Sequence, residues 1–159
     1  MSRPMSPAAG VRGPDAAALA HPTDWPMLVY DGDCAFCSRS VQFILRHDRR
    51  RRSLRFAARD GVAGSAVRSR HPALAHVDSM VWVEPHPEGE VTFIRADAVL
   101  AVARYLGGGW ALLGALARLV PRFVRDAAYG VVARFRRRLA PGAEVCVVFM
   151  LAERARVLD

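Results

Sequence analysis

Lysine is missing from the sequence altogether. The 23 cationic residues are all arginine, set against 15 Asp plus Glu, for a net charge of +8 over 159 residues. Guanidinium groups grip phosphates and carboxylates bidentately, so an all-arginine surface suits nucleic acid or anionic lipid. The plainer reading is a compositional bias, because Ala, Arg, Gly, Val and Pro dominate the chain. Cysteine is scarce as well: three residues, an odd number, exclude the disulfide framework of a small secreted domain. Met1 to Pro26 lacks the apolar segment of a signal peptide and is rich in Ala, Pro and Gly without periodicity, so residues 1–26 are expected to form a disordered leader. A long hydrophobic run is lacking too. The longest uncharged stretch, Tyr105 to Ala117, is broken by Gly107-Gly108-Gly109 and falls short of the roughly 20 residues a membrane span needs. These absences predict a soluble cytoplasmic protein in a reducing compartment.

What is present suffices for one core. Hydrophobic residues make up 52%, slightly above the roughly 45–50% usual for soluble domains, and residues 27–159 are expected to form a single domain. Met27-Leu28-Val29-Tyr30 is a short apolar run ended by Asp31-Gly32-Asp33, the pattern of a buried strand entering a turn. From Ala35 the period changes: Phe36, Cys37, Val41, Ile44 and Leu45 recur at helical spacing, with Arg39, Gln42 and Arg46 opposite, until near His47. Leu54 to Ala57 reads as a second strand, and the intervening length allows a parallel pair. A helix over Val62 to Arg70 is stopped by His71-Pro72. Strands Ser79 to Glu84 and Glu90 to Ile94, joined by the turn Pro85 to Gly89, make an antiparallel hairpin. Helices follow over Asp97 to Leu106, Trp110 to Leu119 and Arg122 to Leu139, with Pro121 where a first-turn proline is tolerated. The order predicts an α/β layer fold: a central sheet from a βαβ unit plus a β-hairpin, with additional C-terminal helices.

The residues that carry chemistry are Cys34 and Cys37. Two cysteines separated by two residues, where a strand hands over to a helix, form a redox arrangement with a physical basis. Unsatisfied N–H groups and the macrodipole at a helix N-terminus stabilise an anion, which favours a thiolate at Cys34. Cys37 lies one turn further on, on the apolar face. Cys34 is therefore expected to be the exposed attacking thiol and Cys37 the shielded resolving thiol. A zinc knuckle and a pair of inert core thiols are the alternatives. Zinc needs two more ligands, and the sequence has no second CxxC and no His pair at finger spacing, so no metal is expected.

The segment Asp31-Gly32-Asp33-Cys34-Ala35-Phe36-Cys37 resembles the Asp-Gly-x-Cys-x-x-Cys signature of the DCC family of thiol-disulfide oxidoreductases. Arg95-Ala96-Asp97-Ala98 is similar to that family's Arg-Ser-Asp-Ala segment, with Ala96 in place of the serine. Tyr129 to Arg136 is similar to its Tyr-x-x-x-Ala-Arg-x-Arg stretch, and Cys146 sits where a late cysteine often follows. The resemblance covers about Met27 to Cys146. It implies a thioredoxin-like fold and thiol-disulfide oxidoreductase activity. No cofactor is expected. Proteins of that fold usually carry a cis-proline before the third strand; the corresponding Val77-Asp78-Ser79-Met80 has no proline.

The flanking residues admit two readings each. Asp33 has the side chain of a helix cap, and its charge beside Cys34 would oppose a thiolate. Asp31 reads either as a proton acceptor for Cys37 or as a turn residue with Gly32. Asp97 reads either as a ligand for a substrate ammonium or as the cap of the helix beginning there. Arg49-Arg50-Arg51-Arg52 and Arg134, Arg136, Arg137 and Arg138 end helices, where cations complement the dipole. The expected partners are protein or small-molecule thiols and disulfides, with a weak membrane-surface contact in second place and nucleic acid not expected. The alternative function is a non-enzymatic module that binds anionic surfaces through these arginines.

Overall fold

A computed structural model describes residues 24–48, 53–139 and 156–158. Residues 1–23 of the expected leader (1–26), the arginine run 49–52, Cys146 and the side chains of 136–139 lie outside the described residues. The chain runs β1 (Met27–Tyr30), α1 (Ala35–His47), β2 (Arg55–Ala58), α2 (Val62–Arg70), a 3-10 turn (Pro72–Leu74), β3 (Val81–His86), β4 (Gly89–Ile94), α3 (Arg95–Leu106), α4 (Gly108–Ala117) and α5 (Arg122–Leu139). The sheet order is β2-β1-β3-β4. β1 is parallel to β2 and antiparallel to β3, and β3 is antiparallel to β4. This is a mixed α/β architecture consistent with a thioredoxin-like fold, as the element order and the resemblance both imply.

Strand alternation sorts the core into two layers. Leu28, Tyr30, Phe56 and Trp82 point to one face, where α1 brings Cys37, Val41, Ile44 and Leu45 and α3 brings Ala98, Ala101, Val102 and Tyr105. Met27, Val29, Ala57, Val81 and Val83 point to the other, under Ala63 and Val67 of α2 and Leu74. β1 is buried at all four positions because both of its faces are covered, which is why its sequence is continuously apolar. α2 sits so close to β2 that a Cβ on Gly64 would lie 2.1 Å from the Ala58 carbonyl oxygen.

Several boundaries differ from expectation: β2 runs Arg55–Ala58 instead of Leu54 to Ala57, and β3 starts at Val81 instead of Ser79. Pro85 belongs to β3, paired with Glu90, and His86 pairs with Gly89, so the turn shrinks to Pro87-Glu88. Pro85 is tolerated because β1 reaches only to Val83, leaving that side of β3 without a partner strand. α3 begins at Arg95, two residues before Asp97. α4 begins at Gly108 instead of Trp110 and ends at Ala117.

The described ends of the chain are tied to β2. The Arg55 N–H donates to the Pro26 carbonyl at 2.9 Å. On β2's outer side the Phe56 N–H donates to the Arg156 carbonyl (2.8 Å) and the Leu158 N–H to the Phe56 carbonyl (2.9 Å). The Arg156 guanidinium is buried against the Asp48 carboxylate and also donates to the Leu54 carbonyl at 3.0 Å. The Tyr105 hydroxyl completes this network, donating to Asp48 (3.2 Å) and accepting from the Leu54 N–H (3.1 Å).

Candidate active site

The sheet register decides which loops meet. Tyr30 pairs with Ala58, Val29 with Val81, and Val81 with Ile94. The ends of β1, β2 and β4 and the start of β3 therefore share one sheet edge. Asp31–Cys37, Arg59-Asp60, Asp78–Met80 and Arg95–Asp97 gather there.

The turn into α1 is built by Asp31. Its carbonyl accepts the Cys34 N–H at 3.2 Å, and its carboxylate accepts the Asp33 N–H at 3.2 Å. That is the turn role read for Asp31 with Gly32. Cys34 then occupies the cap position, with extended φ −95° and ψ 107°. Its carbonyl accepts the Ser38 N–H at 3.0 Å, and its Sγ accepts the Cys37 N–H at 3.4 Å. The cap is thus the sulfur itself. Asp33 is exposed one residue earlier and does not cap the helix, because the chain turns inward at Cys34 instead.

Burial corrects a second expectation. Both cysteines are covered, Cys34 at 9% and Cys37 at 6% exposure, and both belong to the apolar layer beside Tyr30 and Trp82. A cap residue and the residue three positions on lie on the same side of a helix, so a helix laid over the sheet covers the two together. Neither is bridged in a disulfide.

Arg59 supplies the nearby positive charge. It donates to Asp78 at 2.7 Å and to Asp60 at 3.4 Å. The hydrogen bond to Asp60 raises its pKa most; partial burial opposes this, and the charges of Asp31 and Asp60 and the bond to Asp78 reinforce it. Asp31 therefore lies within electrostatic reach of a guanidinium. Residues following β2 had to reach this edge once β1 and β2 were parallel, and that was the signal available for Arg59.

Asp97 does not cap α3. The cap position is Ile94, without a side-chain bond, and the Asp97 carboxylate meets Arg125 at 3.0 Å and Arg122 at 3.3 Å, both from α5. Tyr129 of α5 accepts the Met80 N–H at 3.3 Å, just before β3. Two segments singled out in the sequence thus tie α5 to the same edge. At the β4–α3 junction, Arg95 holds a left-handed φ of 53°, a strained conformation for a non-glycine residue and one that gathers at functional sites.

The DCC1-like thiol-disulfide oxidoreductase family matches residues 28–141, from β1 to just past α5. The chain belongs to this family. Membership brings a general thiol-disulfide function to a site already built around two cysteines. A chloroplastic DCC family protein of Arabidopsis thaliana is 32% identical over 122 residues, covering 76% of this chain and 68% of the relative. An uncharacterized Bacillus subtilis protein, YuxK, is 30% identical over 110 residues, covering 69% of this chain and 77% of the relative. No solved structure gives a significant match. Among the described residues no helix is long and apolar enough to cross a membrane.

Proposed function

We propose that the protein is an enzyme of thiol-disulfide exchange in which Cys34 attacks and Cys37 resolves. The observation that carries the assignment is the Cys37 N–H directed at Cys34 Sγ, 3.4 Å away at the start of α1. An N–H aimed at sulfur, at the positive end of a helix dipole, suits a thiolate at Cys34 and not at Cys37. The Cys34 thiolate attacks one sulfur of a substrate disulfide, forming a mixed disulfide and expelling the other sulfur as a thiolate, which takes up a proton. Cys37 gives up its proton and attacks Cys34 Sγ, releasing the second substrate thiol. The dithiol becomes a disulfide and the substrate gains the two electrons. Run backwards, the same steps oxidise a substrate dithiol. The substrates are protein or small-molecule disulfides, and the setting is the cytoplasm, where a reducing pool returns the pair to thiols.

Trapping tests the roles. Cys37→Ser is expected to accumulate a mixed disulfide with a small disulfide substrate, and Cys34→Ser to accumulate none. Equal adducts on both variants would remove the ordering. A thiol count by alkylation and intact mass across a graded redox buffer is expected to show Cys34 and Cys37 lost together at one midpoint. Thiols that stay alkylatable throughout would remove the redox assignment itself.

A further inference from the structure

Apolar side chains of α4 and of the turn into α5 face outward. From Gly108 to Ala117, α4 carries no polar or charged side chain, yet its buried residue is Gly114, held against Ala103 of α3. Trp110, Leu112, Leu113 and Leu116 are exposed, and beyond the helix Leu119 reaches 81% and Phe123 75% exposure. A contiguous apolar face of this kind marks an interaction surface. It continues onto α1, where Phe43 and His47 meet the Trp110 ring edge-on at 5.2 and 5.6 Å. There the glycine turn, Arg46, His47 and Leu113 line an open cleft of about 770 Å³.

The charged side chains within this segment have one sign. No acidic residue occurs between Asp97 and Asp126. Arg118 stands exposed at the far end of α4, and Arg46 at the cleft. A protein partner would have to offer acidic groups all around an apolar centre, whereas an anionic bilayer offers that arrangement everywhere. Ten helical residues span about 15 Å, half the hydrocarbon thickness of roughly 30 Å, so α4 is of a length to lie on a bilayer and not to cross it.

We propose that α4 and the turn into α5 form a docking face for the surface of an anionic phospholipid bilayer. Leu112, Leu113, Leu116 and Phe123 enter the acyl boundary, Trp110 sits at headgroup level, and Arg46 and Arg118 meet the phosphates. The proposal is independent of the cysteine chemistry.

Flotation of the full reduced chain with phosphatidylcholine vesicles, with and without phosphatidylglycerol, tests it. Binding is expected to the anionic vesicles and to weaken as salt is raised. Leu113→Glu and Leu116→Glu are each expected to lower the partition by about tenfold, from the apolar area withheld from the acyl boundary. Arg46→Gln and Arg118→Gln, which leave the apolar face intact, should each lower it by about fivefold. Val62→Glu, at an exposed site on α2, should leave it unchanged. Absence of vesicle binding, or binding indifferent to the leucine and arginine substitutions, would overturn the proposal. So would a stable dimer that ignores vesicles and that Leu113→Glu splits, since a second copy would then be the occupant.

Discussion

The sheet with α1 to α3 and the pair α4–α5 both carry large apolar side chains, yet they use them in opposite ways. In the first region Trp82, Phe56, Met27 and Leu28 are fully buried, and the strands place their side chains alternately into two layers. In the second, Leu112, Leu113, Leu116, Leu119 and Phe123 face outward, and α5 is attached by the Asp97–Arg125 ion pair and the Tyr129–Met80 hydrogen bond. Hydrophobic composition alone therefore does not make a core. A core needs a second layer to close over it, and the sheet provides one only for the elements laid directly on its faces.

Stability measurements sharpen that contrast. The largest effect is expected at Trp82, whose ring packs against Tyr105 at 5.5 Å and whose indole N–H donates to Glu84 at 3.0 Å. Trp82→Ala should cost about 3–5 kcal/mol in denaturant unfolding; a loss below about 1 kcal/mol would mean that the sheet layer does not carry the fold.

A middle-sized effect depends on pH. Burial foremost, with the Asp48 charge and hydrogen bond, raises the Tyr105 pKa above its ordinary value, while bonds from Ser53 and the Leu54 N–H lower it. The folded state thus holds the phenol's proton more tightly than the unfolded chain. The contribution is fully present below about pH 10 and is lost as pH rises through the folded value. Unfolding curves of the wild type minus those of Tyr105→Phe should show this alkaline loss, and a flat difference would remove it. The smallest effect is expected in the other region: Leu119→Ala should change stability by no more than about 0.5 kcal/mol. A core-sized loss there would show that the face is covered in the isolated protein.

Much of the fold was legible because local patterns and tertiary demands agree. β1, α1, α2 and α5 occupy the residues their periodicity marks, and the parallel pairing of β1 and β2 follows from the helix between them. The cysteine pair was legible from its spacing at a strand-to-helix handover. Other features were not legible, because their partners lie far along the chain. Asp48 finds Arg156 across 108 positions, and Asp97 finds Arg125 across 28. An isolated acidic residue near a helix start reads as a cap, and only the approach of α5 turns Asp97 into an ion-pair partner. Similarly, Pro85 reads as a turn residue until the short reach of β1 leaves its side of β3 without a partner.

By itself the sequence determined the order of elements, and Cys34 at the mouth of a helix with Cys37 one turn later. These depend on backbone periodicity and residue type within a few positions. Only the tertiary structure decided that both thiols are covered, that Arg59 stands beside Asp31, and that the leucines of α4 face outward. Burial and charge pairing are set by which distant elements pack together, and that depends on the closure of the whole sheet, not on any local run of residues.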